Sequence, residues 1–431
     1  MSNVPMSNPE LMLACHDTFA LGRGGCIPLK SGRILAVSGS GVAYSDDGAM
    51  TWCEPYEGVY ANGGRPMIQN LVELADGTIA GIDFCARPVP RSKKEGMERA
   101  AATFFSTTEA FLTVTEDLGR TWSEPRPIND DGMRSSCGNS ETAFTNAIMR
   151  TSSGRIILPL QHAIGKEGWH QTGTPFVGGY VDGEFTSTDA HFYDPHFGAC
   201  YVIYSDDEGQ TWQSNSDGEL FIITEEGFGH MVANWEPSVA EVEPGKLIMF
   251  LRSRLGRVFQ SWSHDDGDTW SRPQPTQLAA SSSPNIIKRL PHGHLLAVWN
   301  QVSEQEIRQG YIRTRLSAAV SRNGGGIWEF FQNVESIHEQ RHVEPGPIRL
   351  TRPDTKFAGH SSLPAYENEA QWAGPLDERY GRWTNHTVCV LEDRVLILYS
   401  STCKVLPFNW FYRGRDPHAE TPLLDKIAAF R

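Results

Sequence analysis

Arg23, Arg252 and Arg313 lie far apart along a chain of 431 residues, yet each stands at the edge of an apolar, strand-like stretch. A guanidinium is a permanently charged, planar fork of N–H donors that matches the geometry of a carboxylate. Three of them converging on one point would make a pocket for an organic acid; any one alone is more often a surface partner of a neighbouring Asp or Glu. Asp83, His162, Glu236, Asn385 and His386 occupy comparable edges. Asp83 and His162 are of the types that act as general acids when positioned beside a breaking bond, although an isolated His in a loop is more often a plain polar residue.

The elements that would have to bring these residues together are repeated. Ser205–Trp212, Thr115–Trp122 and Ser263–Trp270 share the frame Ser/Thr-x-Asp-x-Gly-x-Thr-Trp. Ser45–Trp52 keeps the frame with Ala49 in the Gly place, and Ser321–Trp328 has Asn323 and Ile327 in the Asp and Thr places. Asp binding backbone N–H groups one or two residues on, with Gly at positive φ, makes a compact turn, so each box is expected to join two strands of a hairpin. A second element recurs upstream: an apolar strand, a polar or Gly turn and another apolar strand, at 27–37, 71–81, 147–159, 239–249, 286–297 and 387–398. The first five copies run on to a box and the sixth does not. Six four-stranded units imply an all-β, six-bladed β-propeller occupying 1–431 as a single domain, with 11–19 available to complete the sixth blade. Both kinds of hairpin turn then fall on one face, the bottom. The starts of first strands, the ends of second strands and the starts of third strands fall on the top, where the arginines and their polar companions belong. The boxes are accordingly read as structural turns and not as calcium sites.

Composition narrows the partners. A formal charge of −14 argues against nucleic acid or an anionic membrane surface, and no apolar run approaches spanning length. The eight cysteines show no C-x-x-C pair and no zinc-ligand spacing, which reads as buried thiols in a reducing compartment. His162, His170, His191 and His196 are too irregularly spaced for a metal centre, so neither metal nor cofactor is expected. The first ten residues lack a basic segment followed by an apolar core, so no signal peptide is visible and a cytoplasmic location is expected. Three stretches exceed the blade pattern: 91–101, expected as a short exposed helix, and long insertions at about 162–198 and 341–384, the latter two of a length often used for binding.

With its boxes and its top-face arginines, the chain resembles the sialidase (neuraminidase) superfamily, whose blades carry Asp boxes, also called BNR repeats. The resemblance implies an Arg triad for a substrate carboxylate, a Tyr nucleophile paired with a Glu, and an Asp acid/base. Asn234-Trp-Glu236-Pro-Ser-Val followed by Arg252 is similar to the family's Glu and second Arg. Arg313, running into the fifth box, is similar to the third, and Arg23 can be matched to the first, although the usual Arg-Ile-Pro is not intact. Two family residues have no counterpart: 36–44 offers no loop and no Asp between the second and third strands of blade 1, and Trp383-Thr-Asn-His-Thr387 stands where the family's Tyr would begin blade 6. Asp83 or His162 is the expected substitute acid, and Tyr380 or His386 the expected occupant of the Tyr place. The resemblance implies a glycoside hydrolase acting on a terminal acidic sugar. Two other readings stand beside it: a lyase or hydrolase of uronic-acid glycans using His and Tyr, and a glycan-binding propeller without catalysis.

Overall fold

The box turns anchor the architecture, and they fold alike. The computed structural model describes residues 6–17, 24–87, 107–128, 147–164, 178–181, 184–187, 197–218, 224–225, 231–232, 235–349, 351, 383 and 385–418. In the Ser205 box the serine hydroxyl accepts the Gly209 N–H at 2.7 Å, while Asp207 accepts the Thr211 N–H at 2.8 Å and the Thr211 hydroxyl at 2.6 Å. The same three bonds recur in the Ser45 and Thr115 boxes, and Asn323 replaces Asp in the fifth by accepting the Ile327 N–H at 2.8 Å. The acidic side chain thus spans four residues rather than one or two, because two consecutive residues, Glu208 (φ 57°) and Gly209 (φ 78°), curl the chain left-handed beneath it. The Thr211 bonds, ahead of the others, hold the Asp207 carboxyl down at about 2.

Six four-stranded antiparallel sheets follow in chain order. Blade 1 is Cys26–Pro28, Ile34–Ser38, Gly41–Ser45 and Tyr56–Glu57; blade 2 is Ile68–Glu73, Ile79–Arg87, Thr107–Thr115 and Arg126–Pro127. Blade 3 is Met149–Arg150, Ile156–Ile164, Phe197–Ser205 and Gln213–Ser214; blade 4 is Trp235–Glu243, Lys246–Arg252, Arg257–Ser263 and Gln274–Ala279. Blade 5 is Asn285–Arg289, Leu295–Asn300, Arg315–Ser321 and Glu329–Ser336. Blade 6 is Thr387–Val390, Arg394–Tyr399 and Thr402–Pro407, with Ala14–Asp17 from the N-terminal segment as its outer strand (Ala14 opposite Val405, Asp17 opposite Thr402). Pairing Ala14–Asp17 with Thr402–Pro407 closes the ring, the part for which the stretch at 11–19 was available.

The hydrophobic core is divided among the six blade–blade junctions. Each box Trp enters the junction between its own blade and the one before: Trp122 with Val42 and Ile68, Trp270 with Val202 and Leu247, Trp328 with Phe250 and Trp299. Blade 6 has no box, and a different residue serves its junction with blade 5. The chain turns after Pro407 into the short helix Phe408–Phe411, which buries Trp410 completely among Leu296, Val320 and Ile397. The Trp410 indole N–H donates to the Ser7 carbonyl at 2.7 Å, tying the segment around Ser7 to the same core.

The segment 91–101 lies outside the described residues. Of the first insertion the structure describes its flanking strand ends and a hairpin, Gly178–Val181 with Glu184–Ser187; of the second, 341–349, 351 and 383. No helix among the described residues is long and apolar enough to cross a membrane.

Candidate functional site

Glu236 is the second residue of the innermost strand of blade 4. The ladder slips between Trp235 and Ser238, and Glu236 sits in that bulge with φ 46°. Trp235 is paired with Arg252, the last residue of the next strand, so the bulge delivers the Glu236 carboxylate to that side chain. Arg252 Nη1 lies 2.8 Å from Glu236 Oε2, and the two side chains are 11% and 9% exposed. Arg313 stands two residues before the third strand of blade 5, with φ 57°.

The two arginines meet at Ser282, in the linker from blade 4 to blade 5. Arg252 Nε donates to the Ser282 hydroxyl oxygen at 3.3 Å, and Arg313 Nη2 donates to the Ser282 carbonyl at 3.1 Å. Glu236, Arg252, Ser282 and Arg313 therefore form one connected group across two blades. No repeat or motif marks Ser282; the only signal is its place in Ser281-Ser-Ser-Pro284, immediately before a first strand.

Two members of this group have left-handed backbone. Of the twelve non-glycine residues with positive φ among those described, four are box residues, and Glu236, Arg313 and Asn385 (φ 53°) are three of the others. Each left-handed non-glycine residue costs about 1–3 kcal/mol and persists where surrounding structure enforces it, commonly at functional sites.

A buried ion pair does the enforcing for Arg313. Arg315, with no side-chain exposure, places Nη2 and Nη1 at 2.7 and 3.1 Å from the Glu306 oxygens and also donates to the Gln301 carbonyl at 3.3 Å. Glu306 closes a capping box with Ser303 on the short helix Glu304–Arg308, so the pair clamps the connection that ends in Arg313. Of the two arginines in Arg313-Thr-Arg315, Arg313 adjoins Ser282 and Arg315 turns inward to Glu306, a division that no motif marks.

The substitute catalysts are disposed differently from the expectation. Asp83 does not follow the second strand of blade 2 but lies within it, opposite Phe111, because the ladder runs on to Arg87. It is buried, accepts the Met67 N–H at 2.9 Å and a short hydrogen bond from the Tyr60 hydroxyl, and has no bond to the Ser282 group among the described residues. His162 likewise lies within a strand that continues to Ile164, opposite Ala199. His386 is fully buried, its Nε2 donating to the Val298 carbonyl of blade 5 at 2.8 Å, and burial pushes its imidazole down to about 4. The ring is a tie between blades 5 and 6, assisted by Asn300 Nδ2 donating to the Trp383 carbonyl at 2.6 Å. Arg23, Tyr380, His170, His191, His196 and the side chain of His162 lie outside the described residues. The second and third strands of blade 1 are joined by Gly39 and Ser40 alone, leaving no loop for an acid.

The sequence matches the BNR repeat-like domain family over residues 99–344. No curated protein matches it. Among solved structures, a Hadza microbial sialidase shares the fold at a TM-score of 0.54 and 16% identity, over 94% of this chain and 68% of its own. A Dyadobacter fermentans protein of unknown function aligns at a TM-score of 0.50 and 15% identity, over 92% of this chain and 98% of its own. A Trypanosoma rangeli sialidase in complex with 2,3-difluorosialic acid, as a covalent intermediate, aligns at a TM-score of 0.51 and 13% identity, over 96% of this chain and 58% of its own. At these identities the likeness is one of fold.

Proposed function

The chain belongs to the BNR repeat-like domain family, and we propose that its top face holds the carboxylate of a terminal acidic sugar between Arg252 and Arg313 for glycoside cleavage of the sialidase type. The observation that carries this reading is the convergence of the two guanidiniums on Ser282 from neighbouring blades, with Glu236 paired to one of them. Two forks of donors aimed at one small region suit a single anion better than two separate surface pairs. The left-handed backbone at Glu236 and Arg313 is consistent with it, since such strain is commonly retained where a side chain must be aimed at a ligand.

In this reading Arg252 and Arg313 orient the acid group and offset its charge, and Arg23 is the third candidate donor. Glu236 holds Arg252 in place and is the base candidate nearest the anion. The leaving-group acid and the nucleophile are to be sought among Asp83, His162 and Tyr380. His386, locked on Val298, positions the start of blade 6.

The test is hydrolysis of an aryl α-sialoside, run beside a uronic-acid oligosaccharide. Release of the aryl group by the wild-type chain, with Arg313→Ala reducing kcat/KM by about 10-fold or more, the loss expected when a charged hydrogen bond to substrate disappears, supports the proposal. An unsaturated uronate product, seen by its new ultraviolet absorbance, would instead assign elimination on uronic-acid glycans. Binding of either sugar with quantitative recovery of unchanged ligand would leave a lectin-like propeller.

A further inference from the structure

Ser282 is held differently from the serines on either side. Ser281 and Ser283 are buried and share a hydrogen bond at 3.1 Å, and the Ser281 N–H donates to the Asn300 carbonyl at 3.2 Å. The linker is thereby fixed on both flanks, and Pro284 stiffens its exit. Ser282 alone is left part-exposed, between the two guanidiniums.

A serine hydroxyl has one hydrogen to donate and two lone pairs. One lone pair of Ser282 accepts from Arg252 Nε and the backbone carbonyl accepts from Arg313, but among the described residues the hydroxyl hydrogen has no acceptor. An N–H donated into a hydroxyl polarises it and strengthens its own O–H as a donor. The O–H turns away from the cation that it accepts from, and so is directed to where an anion gripped by both guanidiniums would accept it.

We propose that the Ser282 hydroxyl is a third, uncharged donor to the acid group of the ligand, seated between Arg252 and Arg313, and that it makes the site selective for a free acid over its ester. This rests on the carboxylate-binding reading above, and it adds a ligand-contacting residue from the interblade linker.

The experiment is calorimetric titration of the full chain with N-acetylneuraminate, glucuronate and the methyl ester of whichever acid binds, for wild type, Ser282→Ala, Ser282→Thr and Arg313→Ala. A hydrogen bond to a charged group corresponds to about 10-fold or more in affinity. Ser282→Ala is therefore expected to weaken the acid by at least that factor while changing the ester little, and Ser282→Thr, which keeps the hydroxyl, to stay within about threefold of wild type on the same grounds. Any general loss of structure in Ser282→Ala would weaken acid and ester alike, so equal losses overturn the proposal. Wild-type affinity in Ser282→Ala, with binding abolished in Arg313→Ala, overturns the role of Ser282 and leaves the Arg site standing. A wild-type chain that binds neither acid overturns both.

Discussion

The Glu306–Arg315 pair offers the sharpest quantitative prediction. Its charges are almost out of water, with side-chain exposures of 10% and 0%, and its hydrogen bonds are bidentate. Removing one partner strands the other charge in the interior, which costs about 3–5 kcal/mol. Arg315→Met is therefore expected to lower stability by that amount, while Glu306→Gln/Arg315→Met, which leaves no buried charge, should lose less than the sum of the two single changes, by about 0.5–3 kcal/mol. A third group makes the effect depend on pH. His338 Nδ1 lies 3.2 Å from Glu306, and its Nε2 shares a hydrogen bond with the Thr314 hydroxyl at 2.9 Å. Burial, and then Arg315, hold the imidazole below its usual value against the pull of Glu306. Without Arg315, Glu306 is the charged neighbour left to it among the described residues, so His338 rises and can take the place of the lost cation. A folded-state value below the unfolded one near 6.5 costs stability as pH falls, so a rise in His338 first removes that cost and adds stability at low pH only once it exceeds the unfolded value. The deficit of Arg315→Met should thus be smaller at pH 5.5 than at pH 8, by at most about 1.4 kcal/mol for each unit that His338 rises. Urea denaturation followed by tryptophan fluorescence at the two pH values measures this. A deficit under about 1 kcal/mol would refute the buried-pair energetics, and one identical at both pH values would refute the part assigned to His338.

Two further outcomes follow from the packing. Trp410→Ala should cost about 3–5 kcal/mol, the range for emptying a buried aromatic site, and should raise proteolytic sensitivity of the N-terminal segment bound through Ser7; unchanged protection of that segment would show that Trp410 does not fasten the ring. His386, neutral and buried at about 4 against about 6.5 unfolded, means that the unfolded chain binds more protons between those values. Stability is then retained above 6.5 and falls as pH drops towards 4, by about 3 kcal/mol from this residue. His386→Gln should flatten that limb of the pH–stability curve, and an unaltered slope in urea denaturation from pH 7 to 4 would count against it.

Repeats made the architecture legible. A box of eight residues and an apolar-turn-apolar element state where strands begin, where they turn and which face the turns occupy, because turn chemistry and alternation of polarity are local properties. Counting five boxes against six such elements left the stretch at 11–19 available to complete blade 6, and Ala14–Asp17 does so. Nothing periodic marked Trp410 as the filler of the junction that lacks a box, since a helix–Trp plug and a strand–turn–Trp plug share only their final contact.

The top face divides in the same way. That Glu236, Arg252 and Arg313 lie at strand edges on one face could be read along the chain, for strand direction follows from the order of the turns. That two of them meet on Ser282 while Arg315, two residues from Arg313, turns inward to Glu306 was decided only in three dimensions. The same holds for the partners of Asp83 and His386, Tyr60 and Val298, which no spacing along the chain states. Residue type and spacing determine which side chains can donate, accept or carry charge; burial and the approach of a neighbouring blade determine which of them keep that capacity for a ligand. A buried polar group must satisfy itself with whatever the fold brings near, and that neighbour is distant in sequence.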